Sequence, residues 1–143
     1  MHNFGILIEQ TSFNMQRRIL RLVKEQGVDM SFNELLVLFK MANVGGPITQ
    51  QEIVQNFLKD KALISRVVGR LETKQFIRKT QSNTDSRAFE LSLTRKGTVL
   101  VARVTRTVQA FEKRMLKDVD PSKLDIFFEV LTQIAEYSRD HEL

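Results

Sequence analysis

The 143-residue chain has no cysteine, and only two prolines and two histidines. Without cysteine it has no disulfides, thiolate metal sites, iron–sulfur clusters or cysteine redox sensing. The two histidines, His2 and His141, stand at opposite ends of the sequence and form no ligand set, so neither a metal nor a cofactor is expected. No apolar run approaches the roughly 18–20 residues of a membrane span. Met1-His2-Asn3-Phe4 has neither the basic region nor the apolar stretch of a signal peptide. The expectation is a cytoplasmic protein with no membrane partner. Ser12, Ser31 and Ser65 have no histidine near them in sequence, and there is no glycine-rich phosphate loop. Nothing reads as nucleophilic or acid–base chemistry, so an enzyme is not expected.

What the chain does have is globular composition, with 42% hydrophobic and 27% charged residues. Its length suits one domain, and a chain of roughly 150 residues buries about 68–70% of its unfolded surface. The net charge is +5, and it is unevenly placed. Residues 59–97 carry ten basic and four acidic side chains, whereas the rest of the chain is near neutral. A basic segment in an otherwise neutral domain is the footprint of a polyanion binder or, more plainly, a solvated basic face.

Organisation separates these readings. Scarce proline permits long helices, the first spanning roughly Phe4 to Glu25. Ser31-Phe32-Asn33-Glu34 is a capping box that opens a helix carrying Phe32, Leu35, Leu36, Phe39 and Ala42 at helical spacing, stopped near Gly45-Gly46-Pro47. Thr49-Gln50-Gln51-Glu52 is a second capping box, before a short helix with Ile53, Val54, Phe57 and Leu58. Asp60 is placed to cap the next helix. At about 100° per residue, Leu63, Ile64, Val67, Val68 and Leu71 gather on one side of it, and Lys61, Ser65, Arg66, Gly69 and Arg70 on the other. Two short strands follow, Phe76–Thr80 and Phe89–Leu93, around a polar loop that includes Asp85 and Arg87. Thr94 caps a long helix to about Lys117, and Asp120-Pro121 opens a last one towards His141.

Two short helices, the second with a small and basic outer face, form a helix-turn-helix, and a hairpin directly after it is a wing. The fold expected is mainly α with a small β-hairpin wing. The second helix of such a pair enters the major groove of double-stranded DNA, where small residues admit the backbone and cations meet phosphates and guanine edges. Lys61, Ser65, Arg66 and Arg70 are the candidate contacts on this helix. Arg78 and Lys79 flank it on the wing, and a wing arginine such as Arg87 can enter a minor groove. Two other readings remain open: a winged-helix adaptor docking an acidic protein, and a helical enzyme whose arginines bind an anionic metabolite.

Four stretches carry a family resemblance: Asp60–Glu72, Phe76-Ile77-Arg78, Asp85-Ser86-Arg87 and Leu91-Ser92-Leu93-Thr94-Arg95-Lys96-Gly97. Together with the flanking helices, the chain resembles the MarR family of bacterial transcriptional regulators over essentially its whole length. The resemblance implies a homodimer of winged-helix subunits on a pseudo-palindromic operator, usually a repressor and often released by a small aromatic or phenolic ligand. It implies that Asp85 braces Arg87. It also implies a division into a DNA-binding lobe, residues 31–97, and a dimerising region, residues 1–30 and 98–143. Two positions depart from the family pattern. Ser86 stands where the wing's middle arginine is usual, and Gln75 replaces the glycine between recognition helix and wing. If that position needs a positive φ, Gln75 is strained there.

Dimerisation has its own signal. Val101, Val104, Val108, Phe111 and Met115 recur at spacings of three and four, the seam a helix shows to partner helices. Ile8, Met15, Ile19, Leu22 and Val23 in the first helix, and Leu124, Phe127, Phe128, Leu131, Ile134 and Ala135 in the last, add apolar surface beyond what one winged lobe can cover.

Overall fold

The computed structural model describes residues 3–57 and 60–140, the Asp140 side chain excepted. Leu58, His2 and His141 lie outside the described residues. The elements run α1 (Phe4–Lys24), α2 (Phe32–Val44), β1 (Ile48–Thr49), α3 (Gln50–Phe57), α4 (Lys61–Thr73), β2 (Ile77–Gln81), β3 (Phe89–Leu93), α5 (Arg95–Met115) and α6 (Pro121–Asp140). This is the helical, winged architecture that the sequence pattern implies, with one addition. The hairpin is part of a three-stranded antiparallel sheet of order β1-β3-β2, in which Ile48 lies opposite Leu91 and Thr49 opposite Glu90. A two-residue strand is too short to show an alternating pattern, so only its pairing reveals it.

Each helix begins where a short polar side chain can take a free backbone N–H. At α2 the box is reciprocal: the Glu34 N–H donates to Ser31 Oγ at 3.2 Å, and the Ser31 N–H donates to Glu34 Oε2 at 2.7 Å. At α3 Thr49 and Glu52 repeat it, at 3.2 and 2.7 Å. Asp60 accepts from the Ala62 N–H at 2.6 Å, Thr94 from Gly97 at 3.0 Å, and Asp120 from Ser122 at 2.9 Å. The ends are equally local. Gly45 closes α2 in the left-handed region, φ 71°. At the end of α4 the Phe76 N–H reaches back to the Leu71 carbonyl at 3.0 Å and the Gln75 N–H to Glu72 at 2.9 Å, with Gln75 itself at φ 63°. This is the helix-ending turn that glycine normally serves. The strain anticipated for Gln75 is present.

By compactness the chain falls into two units, Met1–Val108 and Gln109–Leu143. The first holds the buried core. Leu35, Val37, Leu38 and Met41 of α2, Ile53 of α3, Ile64, Val67, Val68 and Leu71 of α4, and Ile77 and Leu91 of the sheet are joined by Val23, Val28 and Met30 upstream and Leu100 and Val104 downstream. The winged lobe therefore draws its core from both sides of residues 31–97.

This alters the reading of the seam. Val104 is 1% exposed, and Val101 and Val108 pack against the same core, as does Ile19 beside the buried Val23. The first half of the seam serves the subunit's own interior. Helical spacing cannot say which surface a stripe will meet. The second unit is different. No described residue of α6 is buried, and Ile126, Phe127, Phe128, Val130 and Tyr137 are all exposed. No helix among the described residues is long and apolar enough to cross a membrane.

A close approach locks the sheet to α5. A Cβ on Gly97 would lie 2.0 Å from the Phe76 carbonyl oxygen, a backbone atom with nowhere to go. Gly97→Ala should therefore lose about 2–3 kcal/mol of unfolding free energy. Gln75→Gly should gain about 0.5–1 kcal/mol by relieving the left-handed strain, less the added entropy of glycine. Urea midpoints check both, and an unchanged midpoint for Gly97→Ala would contradict the close approach.

Candidate nucleic-acid interface

The α4 helix sorts its residues by face. Ile64, Val67, Val68 and Leu71 are at most 4% exposed, while Lys61, Ser65, Arg66, Gly69 and Arg70 all face outward. Nothing lies within 4 Å of a Cβ built on Gly69, so this glycine answers no packing need inside the subunit. It leaves a shallow, uncrowded step between Arg66 and Arg70.

The wing splits a pair that the sequence treats alike. Arg78 lies opposite Ser92 and Lys79 opposite Leu91. Successive strand residues point to opposite faces, so Arg78 and Lys79 serve different sides of the sheet. Lys79 shares a face with the exposed Phe89, and its Nζ sits 4.6 Å above that ring, a cation–π contact that holds the ammonium in place. At the tip, the Ser82 N–H donates to the Ala88 carbonyl at 2.9 Å, and Gln81 Nε2 donates to the Ser86 carbonyl. Asp85 does support Arg87, but through the main chain: its Oδ1 accepts the Arg87 N–H at 2.9 Å. No ion pair among the described residues engages the Arg87 guanidinium, which is exposed. The eight residues singled out from sequence thus form two exposed groups, Lys61, Ser65, Arg66 and Arg70 on α4 and Arg78, Lys79, Asp85 and Arg87 on the wing.

Sequence reasoning missed the group behind them. Glu34 is 2% exposed and is the one charged side chain buried among the described residues. Its Oε1 takes the Lys74 ammonium at 2.9 Å and lies 3.7 Å from Arg70 Nε. Lys74 also donates to the Asp29 carbonyl at 3.0 Å. Burial pushes the Glu34 carboxyl's pKa up, but hydrogen bonds from Ser31 and Lys74, with the Lys74 charge, outweigh it and hold the group below its ordinary value. The signal was available. Glu34 falls three, four and seven residues before Val37, Leu38 and Met41, on the buried stripe of its helix, where a carboxylate needs a cationic partner.

Lys96 is accounted for as well. At the first turn of a helix a cation is disfavoured by the dipole and suggests a nearby anion. Its Nζ instead donates to the Lys74 carbonyl at 2.9 Å and sits 4.8 Å above the Phe76 ring. A half-open pocket of about 340 Å³ also lies in the first unit, walled by Met41, Gly45 and Pro47 on one side and Ser92, Leu93 and Thr98 on the other.

A helix-turn-helix with an outward basic helix, followed by a hairpin wing that pairs with the short β1 strand, defines a winged-helix protein. Residues 28–88 match the MarR family. An uncharacterised helix-turn-helix transcriptional regulator of Bacillus cereus is 29% identical over 98 residues, 68% of this chain. The match spans 65% of that relative's length. Among solved structures, a mutant of MarR from E. coli complexed with operator DNA superposes with a TM-score of 0.80 at 18% identity, covering 91% of each chain. The organohalide-sensing regulator RdhR, bound to 2,4-dichlorophenol, superposes with a TM-score of 0.81 at 17% identity, covering 93% of this chain and 78% of its own. The two likenesses are of fold. The chain has the fold of a winged helix-turn-helix protein, and its residues 28–88 are similar to the MarR family.

The depressed Glu34 carboxyl gives stability a direction with pH. Its folded value lies below its unfolded one, about 4.3. The ionised group therefore stabilises fully above the unfolded value, and that contribution drains away as pH falls from there through the folded value. The gap in urea midpoint between wild type and Glu34→Gln should be flat across about pH 6–8 and shrink steadily below about pH 4.5. A gap that persists unchanged to about pH 3 would remove the ionic role.

Proposed function

We propose that this protein is a sequence-specific double-stranded DNA-binding transcription regulator, not an enzyme, that works in the cytoplasm. The observation that carries the reading is the outward face of α4. Lys61, Ser65, Arg66 and Arg70 stand exposed around a glycine with open space above it, on a helix whose other side is buried through Ile64, Val67, Val68 and Leu71. A helix presented in this way can enter a major groove, with its cations reaching phosphates and base edges. Arg78 and Lys79, on opposite faces of the wing, and Arg87 at its tip add further exposed cations. The operator-bound MarR structure, similar in fold, supports this reading.

The protein acts as a homodimer on a pseudo-palindromic operator, as a repressor. Support comes from apolar surface that the subunit leaves open: Phe4, Leu7 and Phe13 on α1, each more than half exposed, and Ile126, Phe127 and Phe128 on α6. Patches of this kind rarely stay wet in monomers. A small aromatic or phenolic ligand releases the operator. The dichlorophenol-bound relative in fold lends support.

Three measurements test these statements. Arg66→Ala should cost about 1–3 kcal/mol of operator affinity if its side chain meets a base. Arg87→Ala should weaken binding and flatten the salt dependence by about 0.9 in log K per log salt for each phosphate it ceases to neutralise. An unchanged slope would take the wing off the phosphates. Light scattering should give about twice the chain mass of 16.6 kDa, and a single chain mass would remove the dimer and the palindrome together.

A further inference from the structure

The buried carboxylate of Glu34 divides its two oxygens between two tasks. Oε2 closes the N-terminus of its own helix on the Ser31 N–H at 2.7 Å. Oε1 faces the end of α4 and gathers two cations, Arg70 in its last turn and Lys74 at its C-cap. They are held unequally. Lys74 is fixed twice, at 2.9 Å to Oε1 and 3.0 Å to the Asp29 carbonyl, which makes it the carboxylate's resident counter-charge. Arg70 stands 3.7 Å away through Nε, outside hydrogen-bond length, and 53% of its side chain is exposed. It is therefore attracted but not consumed.

A guanidinium reads a guanine edge with two parallel N–H groups, so its plane must be presented at a set angle. An arginine on an open helix face samples many rotamers, and ordering them at the moment of binding weakens and blurs the contact. A negative charge behind the Nε edge narrows that sampling before DNA arrives.

We propose that Glu34 is a positioning residue for sequence reading. Its carboxylate, with its charge largely answered by Lys74, holds Arg70 by the inner edge so that the outer edge meets one base pair in each half-site. Glu34 touches no DNA and yet sets the preference at that base pair. This rests on the DNA-binding reading above, and the test separates the two.

The test is selection from a random duplex pool with wild type, Arg70→Ala, Arg66→Ala, Glu34→Gln and Lys74→Met, each checked for folding by circular dichroism. Glutamine keeps the capping box, so Glu34→Gln removes the charge alone. Arg70→Ala should flatten the preference at one position of each half-site. Glu34→Gln should lower the contrast at that same position about fivefold to tenfold, while affinity for random duplex stays level or rises slightly as a negative charge is removed. Lys74→Met leaves the carboxylate to Arg70 alone, draws the guanidinium inward and should reduce contrast at the same position. Arg66→Ala should act elsewhere. Should Glu34→Gln not fold, Lys74→Met carries the test.

The proposal is overturned if Arg70→Ala changes no position, or if the folded Glu34 and Lys74 variants keep the wild-type preference. It is equally overturned if they flatten every position alike, or if neither folds, since Glu34 is then a structural carboxylate only. A wild type that enriches no sequence at all would overturn the DNA reading, and this inference with it.

Discussion

The peptide carbonyls of Lys74, Gln75 and Phe76 are the point through which α4, the wing and the long α5 helix are fastened. All three are taken by the start of α5. Lys96 Nζ donates to the Lys74 carbonyl at 2.9 Å, Thr94 Oγ1 to Gln75 at 2.7 Å, and the Thr94 N–H to Phe76 at 3.1 Å. Gly97 lets the α5 backbone press against the last of these. Three residues of turn would otherwise be a hinge between α4 and the sheet. Here every carbonyl of the hinge is committed, and the left-handed Gln75 is held there by neighbours on both sides. The direction of α4 relative to the wing is therefore set by α5, although α5 contributes no residue to the basic face of α4.

Glu34 secures the other side of the same helix. A carboxylate taken out of water without partners costs several kcal/mol. This one is partnered from its own helix cap and from α4, so α2 and α4 cannot slide past each other without baring it. Two small polar devices, the hinge and the buried ion pair, hold the exposed face of α4 against the flexibility that short helices and tight turns would otherwise allow. The apolar core supplies cohesion, but an apolar contact is non-directional and fixes angle poorly.

How much of this was legible follows the range of the interactions. Local devices were: the Ser31 and Thr49 boxes and the Asp60, Thr94 and Asp120 caps depend on residues within a few positions of one another, while the strain at Gln75 came from the family resemblance. So was the sorting of α4, because burial follows the 3.6-residue period that sequence displays. Long-range pairing was not. β1 exists only through its partner β3, forty-odd residues later, and the Glu34–Lys74 contact spans 40 positions. Arg78 and Lys79 looked equivalent as neighbours and were parted by sheet register. The first half of the α5 seam differs in the opposite sense: its apolar period is plain in the sequence, but Val101, Val104 and Val108 pack within the subunit.

The wing shows how a missing cation redistributes a task. Ser86 stands where its family resemblance leads one to expect a second arginine, and its carbonyl is used to stiffen the tip by accepting from Gln81. Asp85 spends one oxygen on the Arg87 main chain, not on its guanidinium. The tip thus offers one cation on a well-braced turn. A single positive charge draws the phosphate backbone or a narrow minor groove, but it distinguishes few sequences, because minor-groove edges are largely degenerate between A·T and T·A. If α4 reads DNA as proposed, discrimination falls to it, where Arg66 and Arg70 flank the open step at Gly69. The polar devices that hold α4 in place are accordingly where this protein has most to lose. On that proposed role, a wing that is braced but lightly charged tolerates small misplacement, whereas an arginine that has to meet a base edge at a set angle does not.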